Sequence, residues 1–182
     1  MPSDARRKMI ESAVTLLATR GLQGMSFSDV LERSGAPRGS IYHHFPEGKD
    51  ALVDAAIELA GARALGVLEV VRGSPPREVS GFFLDLWREV LVQSDLRAGC
   101  AVLAVTVATD SPDLLEHAAS VFRAWRARLA ELYQLGGMDA DTAARLATTV
   151  IAASEGAVVI SRAERSLEPF DQVARQLLAA TP

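Results

Sequence analysis

Residues 26–45 read SFSDVLERSGAPRGSIYHHF, and their grammar decides the architecture. Ser26 is a good N-cap, and Asp29, three positions on, puts a carboxylate at the positive end of the helix that follows. Phe27, Val30 and Leu31 share one face of that helix and are expected to point inward. Gly35 stops it after about two turns. Pro37 suits the first turn of a second helix, where its missing N–H costs nothing, and that helix is expected to carry Arg38 to His44. Two short helices around the tight turn SGAP, residues 34–37, make a helix-turn-helix.

Working outward, the segment before this motif repeats apolar residues at Ile10, Ala13, Val14 and Leu17, the i, i+3, i+4, i+7 pattern of an amphipathic helix. Ser3 is placed to cap its start and Gly21 to close its end in a left-handed turn. After the motif, Pro46 and Gly48 break the chain, and a long helix is expected over 50–71. RGSPPRE, residues 72–78, is the strongest interruption and reads as a boundary. Further helices are expected near 77–94, 99–109, 112–135, 140–163 and 167–179. In the helix near 112–135, Leu115, Ala118, Phe122, Trp125, Leu129 and Leu132 form a stripe. The window 149–160 is the most strand-like, yet its small residues and helical surroundings favour a buried helix. The expected class is all-α: a three-helix helix-turn-helix domain over 1–50 and a second helical domain over 51–182.

Composition agrees with this class and narrows the setting. Apolar residues are 49% of the 182 and aromatics only 5%, so Ala, Leu and Val dominate, and Ala and Leu favour helix. The net charge is −4, but residues 1–50 hold seven basic against six acidic groups and the rest twelve against seventeen. The less acidic N-terminal part is compatible with nucleic acid. A single cysteine, Cys100, makes neither an internal disulfide nor a thiolate metal cage; it reads as a small buried hydrophobe, with redox sensing as the alternative. The N-terminus has no apolar core of a secretory signal, and no run of about 18 uncharged apolar residues occurs, so a cytoplasmic protein without a membrane partner is expected.

An α-helix fits the major groove of B-DNA, and residues near its N-terminus reach base edges. Arg38 is the best base reader, because its planar fork matches a guanine edge. Gly39 leaves room for close approach, and Ser40 suits a base or a phosphate. Tyr42 and His43 are placed to donate to phosphates, setting position rather than sequence. Ser26 and Lys49, each at a helix start, would hold phosphates on either side. Ile41 and Phe45, one turn apart, would anchor the reading helix. His44 reads either as a packing residue or as a base reader. No metal site is expected at His43 and His44, since neighbours diverge by about 100° on a helix.

The run GLQGMSFSDVLERSGAPRGSIYHHF, residues 21–45, resembles the DNA-binding domain of the TetR family. GAPRGSIYHHFPEGKDAL, and to a lesser extent GCAVLAV at 99–105, resembles the branch named after LmrA and YxaF. The resemblance implies DNA contact at Ser26, Arg38, Ser40, Tyr42, His43, His44 and Lys49. Val30-Leu31, Gly35-Ala36 and the longer FPEGK depart from the commoner pattern. The resemblance also implies a homodimer on double-stranded operator DNA, formed by the last two helices as a four-helix bundle, and a small-molecule effector, apolar or amphipathic. Repression relieved by that effector is the expected output, with activation as the alternative.

Candidate effector contacts are the bulky apolar residues Phe82, Phe83, Trp87, Leu103, Phe122 and Trp125, with Gln93 and Thr106 as polar anchors. Plain core packing is the competing reading for each. Candidate pairing residues are Ala147, Ile151, Glu155, Val158 and Val159, in a segment whose small side chains let helix axes approach. No cofactor is expected. An enzyme is disfavoured, because no nucleophile–base or metal-ligand spacing stands out and His117 reads as isolated.

Overall fold

The computed structural model describes residues 4–182, so Ser3, the expected cap, lies outside the described residues. Every regular element among these residues is helical. They are α1 (Asp4–Arg20), α2 (Phe27–Ser34), α3 (Ser40–His44), α4 (Lys49–Val67), a 3-10 turn (Leu68–Val71), α5 (Pro76–Gln93), α6 (Ala101–Thr106), α7 (Pro112–Leu135), α8 (Ala140–Glu164) and α9 (Glu168–Ala180). The all-α expectation holds. The helix expected over 50–71 stops at Val67 and tightens into the 3-10 turn.

By packing, the chain divides into two compact units. The first takes in α1 to α3, α4 as far as Arg63, and Cys100–Val121. Its central element is α1, which packs on α2, α3 and α6. Ile10, Ala13 and Leu17 are buried as their spacing requires, while Val14 is half-buried and Met9 and Leu16 complete the inner face. Gly21 closes α1 with φ 74°, its N–H reaching the Leu17 carbonyl at 3.0 Å. At five residues α3 is too short to persist on its own hydrogen bonds. What holds it is Ile41 and Phe45, 0% and 2% exposed. Each such burial stabilises by roughly 1.5–3 kcal/mol.

In the same unit α4 meets the start of α7. A Cβ on Gly61 would sit 2.9 Å from Val121 Cγ1, so this close approach needs a residue without a side chain. Arg63 of α4 pairs with Glu11 of α1 at 2.9 Å.

The second unit comprises Ala64–Gly99 and Phe122–Pro182. In it α8 packs on α5 and α9, and α5 on α9. Asp139 caps α8, accepting from the Thr142 N–H at 3.0 Å. Ser161 Oγ accepts the Phe170 N–H at 3.0 Å and so ties α8 to the first turn of α9. The Tyr133 hydroxyl is buried against Ser80 Oγ at 2.8 Å, with Thr181 Oγ1 3.4 Å from the same serine. Desolvation pushes the Tyr133 phenol up to about 12, against a smaller opposing effect of the Ser80 hydrogen bond.

RGSPPRE lies inside the second unit by packing, with residues 72–75 joining the 3-10 turn to α5. By packing, α4 continues the first unit to Arg63. In α7, Leu115 is 46% exposed and Leu114 takes the buried position, one residue out of the expected stripe. The strand-like window 149–160 lies within α8. That helix is long and apolar enough to cross a membrane by composition, but it buries Ala147, Val150, Ile151, Ser154 and Val158 within its own unit, as a core helix does.

Candidate nucleic-acid interface

The motif opens on a closed hydrogen-bond ring. Asp29 N–H donates to Ser26 Oγ at 3.2 Å, and Ser26 N–H donates back to Asp29 Oδ2 at 3.0 Å. The Ser26 hydroxyl also donates to Asp29 Oδ2. Arg20, at the end of α1, reaches Asp29 Oδ1 at 2.8 Å. The Ser26 bonds first, and Arg20 behind them, hold the Asp29 carboxyl below its ordinary value in spite of some desolvation. Both donors of Ser26 are therefore engaged within the protein. An anion at this end of α2 meets the free amides of Phe27 and Ser28, which no intrahelical carbonyl reaches. Ser26 shapes that end of the helix through its cap.

Gly35 ends α2 at φ 67°, with its N–H on the Leu31 carbonyl at 3.0 Å. The reading helix starts later than expected. Ser40 sends both its N–H (2.9 Å) and its hydroxyl (2.6 Å) to the Pro37 carbonyl, so Pro37, Arg38 and Gly39 form a turn before α3. Pro37 accordingly serves the turn and not the first helical position. Ser40 has lone pairs, not a proton, to offer a base. Arg38 is exposed on this turn. Gly39 has φ −75°, and a Cβ there would meet nothing within 4 Å. Neither a positive φ nor packing within the protein demands glycine at that position.

Tyr42 is 67% exposed, its ring edge-on to Phe27 with centroids 5.7 Å apart. His43 is exposed, and its ring stands 5.2 Å from that of His44. His44 is half-buried and lines an open cleft of about 420 Å³ with Arg6, Glu47 and Asp50. Arg6 lies over the Phe45 ring at 5.1 Å. Lys49 donates to the Leu22 carbonyl at 2.7 Å, pinning the start of α4 to the loop after α1. Its ammonium is thus a tie within the first unit.

The geometry is that of a helix-turn-helix whose second element is anchored by two buried side chains and turns Arg38, Ser40, Tyr42 and His43 away from the core. Residues 9–56 match the family described as "Bacterial regulatory proteins, tetR family", and residues 76–176 match "Transcriptional regulator LmrA/YxaF-like, C-terminal domain". The chain belongs to the TetR family of transcriptional regulators. It is 37% identical over 179 residues to the HTH-type transcriptional regulator Rv0196 of Mycobacterium tuberculosis, covering 94% of this chain and 91% of that one. It is 25% identical over 172 residues to the HTH-type transcriptional regulator LmrA of Bacillus subtilis, covering 92% and 91%. Its fold is similar to that of the regulatory protein TetR from Rhodobacter sphaeroides, with TM-score 0.86, 23% identity, and coverage of 99% and 100%. Membership makes it a DNA-binding regulator and not an enzyme.

In this TetR-family regulator the remaining candidates fall as follows. Within the second unit, Phe83 and Trp125 are buried, Phe82, Trp87 and Phe122 are half-buried, and Phe122 stands edge-on to Trp125 at 5.4 Å. Gln93 is exposed at the end of α5 and donates to Glu89 at 2.6 Å, so it faces solvent and not an apolar interior. Leu103 and Thr106 belong to the first unit, and Thr106 returns its hydroxyl to the Val102 carbonyl at 2.8 Å. Of the pairing candidates, Ala147, Ile151, Glu155 and Val158 are buried within the protomer, and only Val159, 49% exposed, reaches the surface. Those four residues lie on the face of α8 that packs within its own unit. Sequence reasoning also missed Arg20, whose partner lies nine positions away, and His117, which is not isolated but bridges Asp54 and Glu58.

Proposed function

We propose that this regulator acts as a homodimeric repressor on a palindromic operator and is released by a small molecule bound in its helical C-terminal part, within residues 51–182. The observation that carries the DNA reading is the pairing of buried Ile41 and Phe45 with exposed Arg38 and Tyr42 on one short turn-helix segment. A segment so anchored presents a guanidinium fork to base edges and a phenol to the backbone with little ordering cost. His43 adds a phosphate contact, and the α2 amides another.

One such segment touches few base pairs, and a two-fold pair set about 34 Å apart multiplies the affinity. The outward face of α8 supports pairing. Thr148, Ala152, Gly156, Ile160 and Ala163 are all exposed and lie along it together with Val159. A second copy of α8 laid on these small and apolar groups gives the close crossing of a four-helix bundle with α9. An operator occupied in this way excludes polymerase, which is repression, and the activity belongs in the cytoplasm with the chromosome. Phe82, Phe83, Trp87, Phe122 and Trp125 supply apolar surface for an effector. The effector binds the DNA-incompetent arrangement more tightly than the competent one and shifts the population.

Selection of bound fragments from genomic DNA with the purified protein yields the operator. Arg38→Ala then weakens operator binding by roughly 1–3 kcal/mol and relaxes base preference at one position of each half-site. Unchanged affinity and unchanged preference in that variant overturn the reading.

A further inference from the structure

His117 of α7 sits between two carboxylates of α4. Nδ1 is 2.5 Å from Asp54 Oδ1, and Nε2 is 2.9 Å from Glu58 Oε2. The imidazole is 21% exposed, against 53% and 69% for its partners. Asp54 and Glu58 are four apart, which places both on one face of α4. A carboxylate only accepts, so both contacts require a ring N–H at each end. Only the imidazolium has two. In the neutral ring one nitrogen turns a lone pair on a carboxylate, and the two acidic groups, one helical turn apart, lose the charge that separates them.

We propose that His117 is a proton-operated clasp between α7 and α4, closed when the imidazole is charged and loosened when it is neutral. The neighbourhood is acidic on most sides. From α4 come Asp54 and Glu58, with Asp50 a turn earlier; from α7 itself, Asp113 and Glu116. Arg6 of α1 and His44 of α3 share the adjoining cleft with Glu47, Asp50, Asp54 and Asp113. Arg63, further along α4, is held by Glu11, and α6 brings no titratable group. Burial works against the charged ring, but the hydrogen bonds and charges of Asp54 and Glu58 outweigh it and raise the His117 pKa above 6.5. The sign follows. A raised histidine stabilises the fold fully below the unfolded value near 6.5, and that contribution is lost as pH rises through the folded value. The clasp therefore lets go as pH rises through a midpoint above 6.5. A few residues further on, Gly61 and Val121 keep the two helices in apolar contact, so release loosens the pair without separating it.

The clasp holds α4, the helix that Lys49 ties to the loop after α1. Its effect on DNA rests on the DNA-binding reading above: the closed form fixes the mounting of α3 and binds operator better. The test has two arms on the full-length protein. In the first, ring-nitrogen NMR follows the three histidines, with His117→Gln assigning the signal, and thermal unfolding is read from pH 5.5 to 9. The expected result is a His117 midpoint above 6.5, lowered in Glu58→Gln, and a wild-type advantage in Tm over His117→Gln that is largest at pH 6 and shrinks by pH 9. A midpoint at or below 6.5, or an advantage that does not change with pH, overturns the clasp. In the second arm, the ratio of wild-type to His117→Gln affinity for a selected genomic fragment falls between pH 6 and 9. A flat ratio beside a titrating clasp overturns its link to DNA. A wild type that binds no fragment at any pH instead overturns the DNA reading, and the first arm still decides the clasp.

Discussion

Tyr42 meets Phe27 edge to face, the ring planes 80° apart and the centroids 5.7 Å apart, so the reading helix leans on the first residue of α2. Such an aromatic pair contributes about 0.5–1.5 kcal/mol beyond its buried area. The contact separates two roles in one side chain: the ring positions, and the hydroxyl is left for an outside acceptor.

Tyr42→Phe keeps the ring contact and removes the hydroxyl. It is expected to leave thermal stability unchanged and to weaken binding to every duplex by a similar factor, about 0.5–1.5 kcal/mol. Tyr42→Ala is expected to lower both. Anisotropy titrations on specific and scrambled duplexes, alongside thermal melts, distinguish the two variants. A change of base preference in Tyr42→Phe would contradict the assignment to phosphate.

Lys49 donates to the Leu22 carbonyl at 2.7 Å, which assigns its ammonium a tie within the protein. Lys49→Met is expected to lower unfolding free energy by about 1 kcal/mol, the lower range for a charge-assisted bond at a half-exposed site. The slope of log affinity against log salt should change by clearly less than the ~0.9 that one lost phosphate contact gives. Urea unfolding measures the first quantity and salt-dependent binding the second. A full drop in slope with unaltered stability reverses the assignment.

Gly156 and Ile151 test which face of α8 pairs. Around a Cβ at Gly156 there is nothing within 4 Å, and replacing a helical glycine favours the helix. Gly156→Arg should therefore fold well and sediment as a monomer. Ile151, 5% exposed, belongs to the protomer core. Ile151→Ala should cost about 2–5 kcal/mol of stability, and any effect on association should follow from that loss. Equilibrium sedimentation with chemical unfolding on both variants reads this out. A fully dimeric Gly156→Arg removes the outward face from consideration.

Tyr133 makes the protein sensitive to alkali. Its phenol is raised from 10 to about 12, so the folded state keeps a proton that the unfolded state gives up first. The stabilisation is complete below pH 10 and is lost as pH climbs towards 12, a change on the order of 2 kcal/mol. Tyr133→Phe should flatten that part of the stability curve, as followed by denaturation at pH 9 to 12, and should leave Ser80 paired with Thr181 alone.

Much of the fold was readable because local signals and tertiary need agreed. Gly21 and Gly35 sit at positive φ where their spacing put them, and Ile41 and Phe45 are buried as the anchors of a short helix. The start of α3 was not readable, because Pro37 fits a preceding turn as well as a first helical turn, and the Ser40 bonds to its carbonyl decide between them. The misplacement at Leu115 is a one-residue phase error, which a helical stripe tolerates until packing is seen. Along α8 small residues line both faces, so the sequence there has little polarity to tell inside from outside. Ser26 and Asp29 were legible as a cap. Arg20 and His117 were not, since their partners are brought near only by the fold.

Gly61 and Val121 occupy one volume between them. In a comprehensive substitution library, position 61 should tolerate nothing larger than glycine while Val121 stays as it is. Gly66, which has open space around it, should accept alanine freely. Variants that survive a change at 61 are expected to carry a second, shrinking change at 121. Drift at the two positions is coupled, and a lineage crosses that gap by trimming Val121 before it adds a methyl group at 61.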